Sequence, residues 1–562
     1  MIKSLHLKLQ VALIIVLIPF FSIAQNNTKG WHLLDKEKDG YYGISLEKAY
    51  KFLKEKNRTS KTVIVAVMDG GVDTAHEDLK NILWHNTKEI ANNGKDDDGN
   101  GYVDDEYGWN FLGNKNGSDL KKASDEKSRF YHAYKNQFSG KTIDTSTMSI
   151  EDKYIYKSWQ QANKEVNGDS NDQMEVMMID ATVKALKKHS KIIADEMGKE
   201  EFTVAELEKY EPKSSVVKNS KYIFLNAMRL FQVDSDTKNT TILKELDDEL
   251  QNKKDAIDAK TNAPKNYRAE IIKDDYSNIQ DKFYGNKDVM GPDAMHGTHV
   301  TGIIAAQRNN GIGINGVADN VKVMELRVVP DGDEYDKDIA LGIFYAVDNG
   351  AKVINMSFGK YYSPNKRWID SAFKYAEQKD VLIIHAAGNE SNNVDEKPNY
   401  PNPFMLMSNY KVNNFINVGA SSDLQITPKS IAADFSNYGK QTVDVFAPGV
   451  KIYSTLPGGN QYGNLQGTSM ASPVVAGIAA LIRSYYPTLT AVQVKACIEN
   501  SVTPISDSVA CLLPGQDPKP VPFSSLSKTG GIVNAYRAVM AAEAMVAEKN
   551  HSTNHNKKNN NK

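Results

Sequence analysis

The chain reads as an α/β protein in three layers, a parallel sheet with helices on both faces, interrupted by a helical insertion. Three observations predict this. From Thr62 onward, short apolar β-branched runs alternate with longer stretches of helical period. The short runs are apolar at successive positions, as strands buried on both faces must be, and strands separated by helices argue a parallel sheet. Between about Asn116 and Gly285 the alternation stops; glycine thins out and Lys, Glu and Asp crowd around helical periods.

Taken in chain order, residues 1–24 place Lys3 and Lys8 before an apolar run from Leu9 to about Phe21, closed by Ser22-Ile23-Ala24. That is the pattern of a cleaved secretory signal. The run falls short of the ~20 apolar residues of a spanning helix, and Pro19 interrupts it. No later segment is apolar for long enough to span a bilayer, so export without a stable membrane span is expected, to a periplasm, to a cell surface or into the medium. Residues 25–60 form a short N-terminal extension. The sheet domain is expected over 61–115 and 285–545. In it TVIVAVMD, VKVMELRVV, AKVINMS, VLIIHAAGN, INVGASS and DVFAPG read as strands. HGTHVTGIIAAQ, DIALGIFYAVDNG, RWIDSAFKYAEQKD, SMASPVVAGIAALIRSYYP and LTAVQVKACIENS read as helices.

The insertion, 116–284, carries helical periods in DQMEVMMIDATVKALKKHSKIIADEM, IFLNAMRLFQV and ILKELDDELQNKKDAID, and Thr203 with Glu206 has capping-box spacing. It reads as a surface helical subdomain; a lid, substrate-binding or inhibitory role is the alternative. Residues 546–562 are polar and low in complexity and are expected to form a disordered tail, with His551 and His555 solvated. A formal net charge of −2 gives no electrostatic reason to expect nucleic acid or an anionic membrane as partner. Cys497 and Cys511 either pair or stay as two buried thiols.

Three motifs carry chemistry. VAVMDGGVD ends a buried strand on Asp69, at the carboxyl edge where open α/β sheets keep their active sites. HGTHVTG sets His296 at a helix start, able to act as a general base, with His299 a rival within the same motif. GTSMASP sets Ser469 at the mouth of a helix, with Pro473 expected in its first turn. Helix N-terminal amides there favour an oxyanion. Separately, NNGKDDDGNGYVDDEYGWN gathers Asp96, Asp98, Asn100, Asp104 and Asp105 around Gly99 and Gly101. Hard oxygen donors at alternate positions suit calcium, although Tyr107 stands where an EF-hand-like loop would supply its bidentate Glu. An acidic solvated turn is the plain alternative.

In the order Asp, His, Ser, these motifs closely resemble the subtilisin-like serine protease family, over about Thr62 to Asn110 and Gly285 to Ala541. The resemblance implies the subtilisin-like fold and a serine endopeptidase with Asp69, His296 and Ser469 as triad. It implies that Asn389 in HAAGNE assists the oxyanion, and that Ser357, Phe358 and Gly359 in NMSFG pair with the substrate backbone. Protein or peptide substrates and no organic cofactor are expected. An inactive peptide-binding relative, or a ligase or cyclase using the same triad, is the alternative. Gly70 replaces the Thr or Ser usual after the aspartate. Too few residues precede Thr62 for the folded propeptide of many relatives, which motivates the hypothesis that the insertion restrains the active site; deleting it should then raise activity on small peptides.

Overall fold

A computed structural model describes residues 29–168, 172–231, 233, 235, 237–515 and 517–559, so the expected signal segment lies outside the described residues. The chain divides into two compact units. A sheet unit comprises Asn26–Glu126, Thr147–Lys153 and Asn266–Lys562, and a helical unit includes Lys127–Ser146 and Tyr154–Lys265, inside the 116–284 span read from composition.

The sheet unit is the predicted α/β sandwich. Its strands are β1 (Val63–Asp69), β2 (Gly108–Asn110), β3 (Val321–Arg327), β4 (Val353–Met356), β5 (Leu382–Ala386), β6 (Phe415–Ser421), β7 (Val445–Pro448), β8 (Ile452–Leu456), β9 (Gln461–Leu465), β10 (Thr503–Pro504) and β11 (Gly531–Ile532). Nine of them form one sheet in the order β10-β11-β7-β6-β5-β4-β1-β3-β2, parallel except for β10 against β11. Because side chains alternate across a strand, β1 feeds two cores. Val63, Val65 and Val67 enter one and Ala66 and Met68 the other, so an unbroken apolar run is what this position requires.

The first core is closed by α1 (Leu46–Glu55), α2 (Met295–Ala305), α5 (Thr468–Tyr485), α6 (Ala491–Glu499) and α7 (Ala535–Asn559), the second by α3 (Asp336–Asp348) and α4 (Lys366–Gln378). β1 pairs with β3 on one side and β4 on the other, so the chain reverses its direction of travel there. Such a switch point opens a crevice at the carboxyl ends of the strands, and Asp69 stands at that end.

Several elements were not legible. The β8–β9 hairpin was missed, since its turn at Gly458, Gly459 and Asn460 reads equally as loop. Pro473 is the sixth residue of α5, beyond the first turn in which it was expected. The last helix runs on to Asn559, so the segment read as a disordered tail is helical through most of its length. Extending an existing helix avoids the cost of nucleation, which composition alone does not register. Cys497 and Cys511 are buried and unpaired, and burial pushes each thiol up to about 11.

In the helical unit, Ile179, Val183, Leu186 and Ile193 line one face of Asp172–Met197 and pack with Phe224 and Met228 of Ser215–Leu230 and Ile242 and Leu246 of Asn239–Asp258. Thr203 and Glu206 make both bonds of the capping box. Among the described residues no helix is long and apolar enough to cross a membrane.

Candidate active site

Asp69 closes β1 and is 2% exposed, with its carboxylate turned toward α2. His296, the second residue of α2, brings Nδ1 to 2.8 and 2.9 Å from the two Asp69 oxygens. The helix can come this close because Gly297 has no side chain: a Cβ there would lie 2.2 Å from the Gly71 carbonyl oxygen. Gly70, the departure noted after the aspartate, donates its N–H to Asp69 Oδ1 at 2.7 Å, and its carbonyl accepts from buried Arg327 Nε at 2.8 Å. Support for the carboxylate therefore comes from backbone rather than from a hydroxyl. Crowding by protein disfavours the imidazolium, yet the Asp69 carboxylate, with Asp293 adding to it, holds the His296 pKa above the ordinary histidine value.

His299 has a different position. It is fully buried, its Nε2 lies 3.2 Å from the Gly463 carbonyl oxygen, and burial pushes its pKa down to about 3. The missed hairpin explains this. Ser454 Oγ donates to the His299 carbonyl at 2.8 Å and Thr455 Oγ1 to the Thr298 carbonyl at 2.7 Å, so β8 props α2 from behind while His296 faces Asp69.

Ser469 is the second residue of α5, where the backbone N–H has no intrahelical acceptor. Its hydroxyl donates to the Ser357 carbonyl at 2.9 Å, and among the described residues it makes no bond to His296. In return Ser357 Oγ donates to the Ser469 carbonyl at 2.9 Å. That carbonyl is available because its helical partner would be the N–H of residue 473, and Pro473 has none. The proline thus serves the site through the acceptor it frees. Ser357, Phe358 and Gly359 follow β4; Phe358 is buried and Gly359 exposed.

Asn389 follows β5 after Gly388, whose φ of +104° and close packing on Asn437 favour glycine. The Asn389 Oδ1 accepts from Thr468 N at 2.8 Å and Thr468 Oγ1 at 2.9 Å. With the oxygen held, Nδ2 is the atom of the amide left to donate. Site, helix mouth and strand end are joined by bonds between residues up to 227 positions apart.

The acidic loop is only partly as expected. Asp96 binds the N–H groups of Gly99, Asn100 and Gly101, and Asn100 Oδ1 accepts from Tyr102 N. Asp104 turns elsewhere, onto Asn93 N, Gly94 N and Lys287 Nζ. The carboxylates that converge are Asp96, Asp98 and Glu89, each offering an oxygen within 4.8 Å of the others. Glu89 was missed because it precedes the loop in sequence and folds back to accept from Asp97 N and Asp98 N. Three hard anionic oxygens at this spacing fit one calcium ion with ligands at about 2.3–2.6 Å.

A sequence model described as the subtilase family matches residues 60–519. The thermophilic serine proteinase of a Bacillus species is 40% identical over 212 residues, 38% of this chain and 47% of that one. Thermitase of Thermoactinomyces vulgaris is 35% identical over 275 residues, 48% of this chain and 85% of that one. A solved protease structure from Pseudoalteromonas arctica aligns with a TM-score of 0.45 at 19% identity, over 92% of this chain and 98% of that one. With a parallel sheet whose switch point carries Asp69 and a family match that runs over residues 60–519, most of its length, the chain belongs to the subtilase family of serine endopeptidases.

Proposed function

We propose that this chain is an exported serine endopeptidase that hydrolyses peptide bonds through an acyl-enzyme, using Asp69, His296 and Ser469, with Asn389 at the oxyanion. The observation that carries the reading is the pairing of His296 Nδ1 with both Asp69 oxygens at 2.8 and 2.9 Å, which leaves Nε2 as the basic nitrogen. A substrate carbonyl entering between Ser357–Gly359 and Asn389 displaces the Ser469 hydroxyl from the Ser357 carbonyl toward Nε2; such bonds commonly form only on binding. Ser469 Oγ then attacks, His296 takes the proton, and Asp69 offsets the imidazolium charge. The oxyanion is met by the Ser469 N–H and Asn389 Nδ2. His296 returns the proton to the leaving amine, and water reverses the sequence on the acyl-enzyme. Export rests on the N-terminal sequence pattern, and protein or peptide substrates on the family.

The test is casein hydrolysis by the mature protein and its Ser469→Ala variant, each also treated with a fluorophosphonate. Cleavage and labelling should vanish together in the variant. A parent that neither cuts nor labels would leave a peptide-binding relative as the better reading. Calcium is assigned to Glu89, Asp96 and Asp98, where it would pin the 89–104 loop; chelator should lower the melting temperature, and a melting curve indifferent to both chelator and added calcium would remove the site.

A further inference from the structure

Asn389 can serve an oxyanion only if its backbone is fixed, and one carboxylate oxygen does much of the fixing. Glu390 Oε2 accepts from Asn389 N at 3.0 Å, from Asn437 Nδ2 at 3.0 Å and from Tyr361 Oη at 2.7 Å. Asn437 is fully buried and ties this group to the strand end, donating to the Ala387 carbonyl at 2.8 Å and accepting from Glu390 N at 3.2 Å and Asn392 N at 2.7 Å. Tyr361 comes from the segment after β4, the strand paired with β5. It lies two residues beyond Gly359, on the segment whose Ser357 carbonyl receives the Ser469 hydroxyl. Its phenol is oriented by Asn392 Nδ2, which donates to it at 2.7 Å, and its ring carries Lys397 Nζ 4.3 Å from the centroid.

A carboxylate oxygen can only accept, so the tyrosine must donate to it. Burial, and then the Glu390 charge, push ionisation of Tyr361 far above the usual tyrosine range, so the donor persists at any working pH. Charge-assisted bonds of this kind are the stronger and more directional ones.

We propose that Tyr361 is a positioning residue: its hydroxyl, acting through Glu390, locks the Asn389 backbone so that the side-chain amide stays aimed at the oxyanion. This rests on the reading of Asn389 given above. It also makes the substrate segment and the oxyanion segment one rigid frame around Ser469, with Thr468 closing it from α5.

The test uses the rate at which a fluorophosphonate labels the full mature protein. Ser469 Oγ bonds to phosphorus, fluoride leaves, the proton passes to His296, and the phosphoryl oxygen develops charge where the oxyanion would. No knowledge of substrate preference is needed. Asn389→Ala should label about a hundredfold more slowly, and Tyr361→Phe about tenfold more slowly while still melting cooperatively at a slightly lower temperature. Tyr361→Phe combined with Asn389→Ala should be no slower than Asn389→Ala alone, because the tyrosine acts only through the amide. Glu390→Gln, which keeps an acceptor oxygen, should lie within about threefold of the parent. Parental labelling by Tyr361→Phe, or losses that multiply in the double variant, would overturn the positioning role while leaving the oxyanion assignment standing. If Asn389→Ala labels at the parental rate, the oxyanion assignment falls and this proposal with it.

Discussion

The two units hold themselves together in different ways. In the sheet unit, polar and charged groups are buried and paired through the core. Arg268 binds Asp338 and Asp274 while Lys337 also binds Asp274, with all four side chains at most 3% exposed. In the helical unit one apolar cluster joins the helices Asp172–Met197, Ser215–Leu230 and Asn239–Asp258, and ion pairs such as Lys184 with Asp180 and Lys191 with Asp195 lie on the surface at one-turn spacing. Buried pairs are costly to break because the remaining charge has no water to return to, whereas surface pairs contribute little. Every candidate for chemistry, from Asp69 to Asn389, belongs to the unit that maintains buried polar geometry. Precise placement of a charge requires such a scaffold.

This contrast can be tested at decreasing amplitude. His296→Ala should lower kcat by about 10⁶, a loss of the size measured in subtilisin itself; retention of casein hydrolysis would remove the triad from the sheet unit. Asp338→Ala, by stripping Arg268 of a buried partner, should cost about 3–5 kcal/mol in urea unfolding, and an unshifted midpoint would mean the cluster is not structurally coupled. Acid should weaken the sheet unit through its neutral histidines. Burial lowers His32 to about 4, His299 to about 3 and His385 to about 4, below the unfolded value of 6.5. The unfolded chain therefore binds protons first, so stability is full above pH 6.5 and is lost as pH falls toward 4, by about 1.4 kcal/mol per pH unit for each histidine. Equal urea midpoints at pH 7.5 and 5 would contradict this. At the small end, Lys184→Ala should leave melting and labelling indistinguishable from the parent.

Much of the sheet unit was legible because its signals are short-ranged. Six apolar runs became β1 and β3 to β7, and the five segments of helical period between and after them became α2 to α6. The reading failed where a contact depends on distant chain. Glu89 joins Asp96 and Asp98 only after the loop folds back, and Asp104 leaves the group because its own carboxylate meets Asn93, Gly94 and Lys287 instead. Pro473 looked like a helix starter and is instead the reason Ser469 has a carbonyl to offer Ser357.

Sequence by itself determined six of the strands and five of the helices of the sheet unit in their order, the helical nature of the insertion and the three motif residues, since periodicity, glycine turns and helix-mouth signals operate within a few positions of the chain. Tertiary structure decided how the β8–β9 hairpin holds His299 apart from the Asp69 pair, which carboxylates share a loop, and how Tyr361, on the segment after β4, reaches Glu390 after β5. Those choices are made by packing between segments far apart in sequence, where burial fixes which hydrogen-bonding groups must find each other.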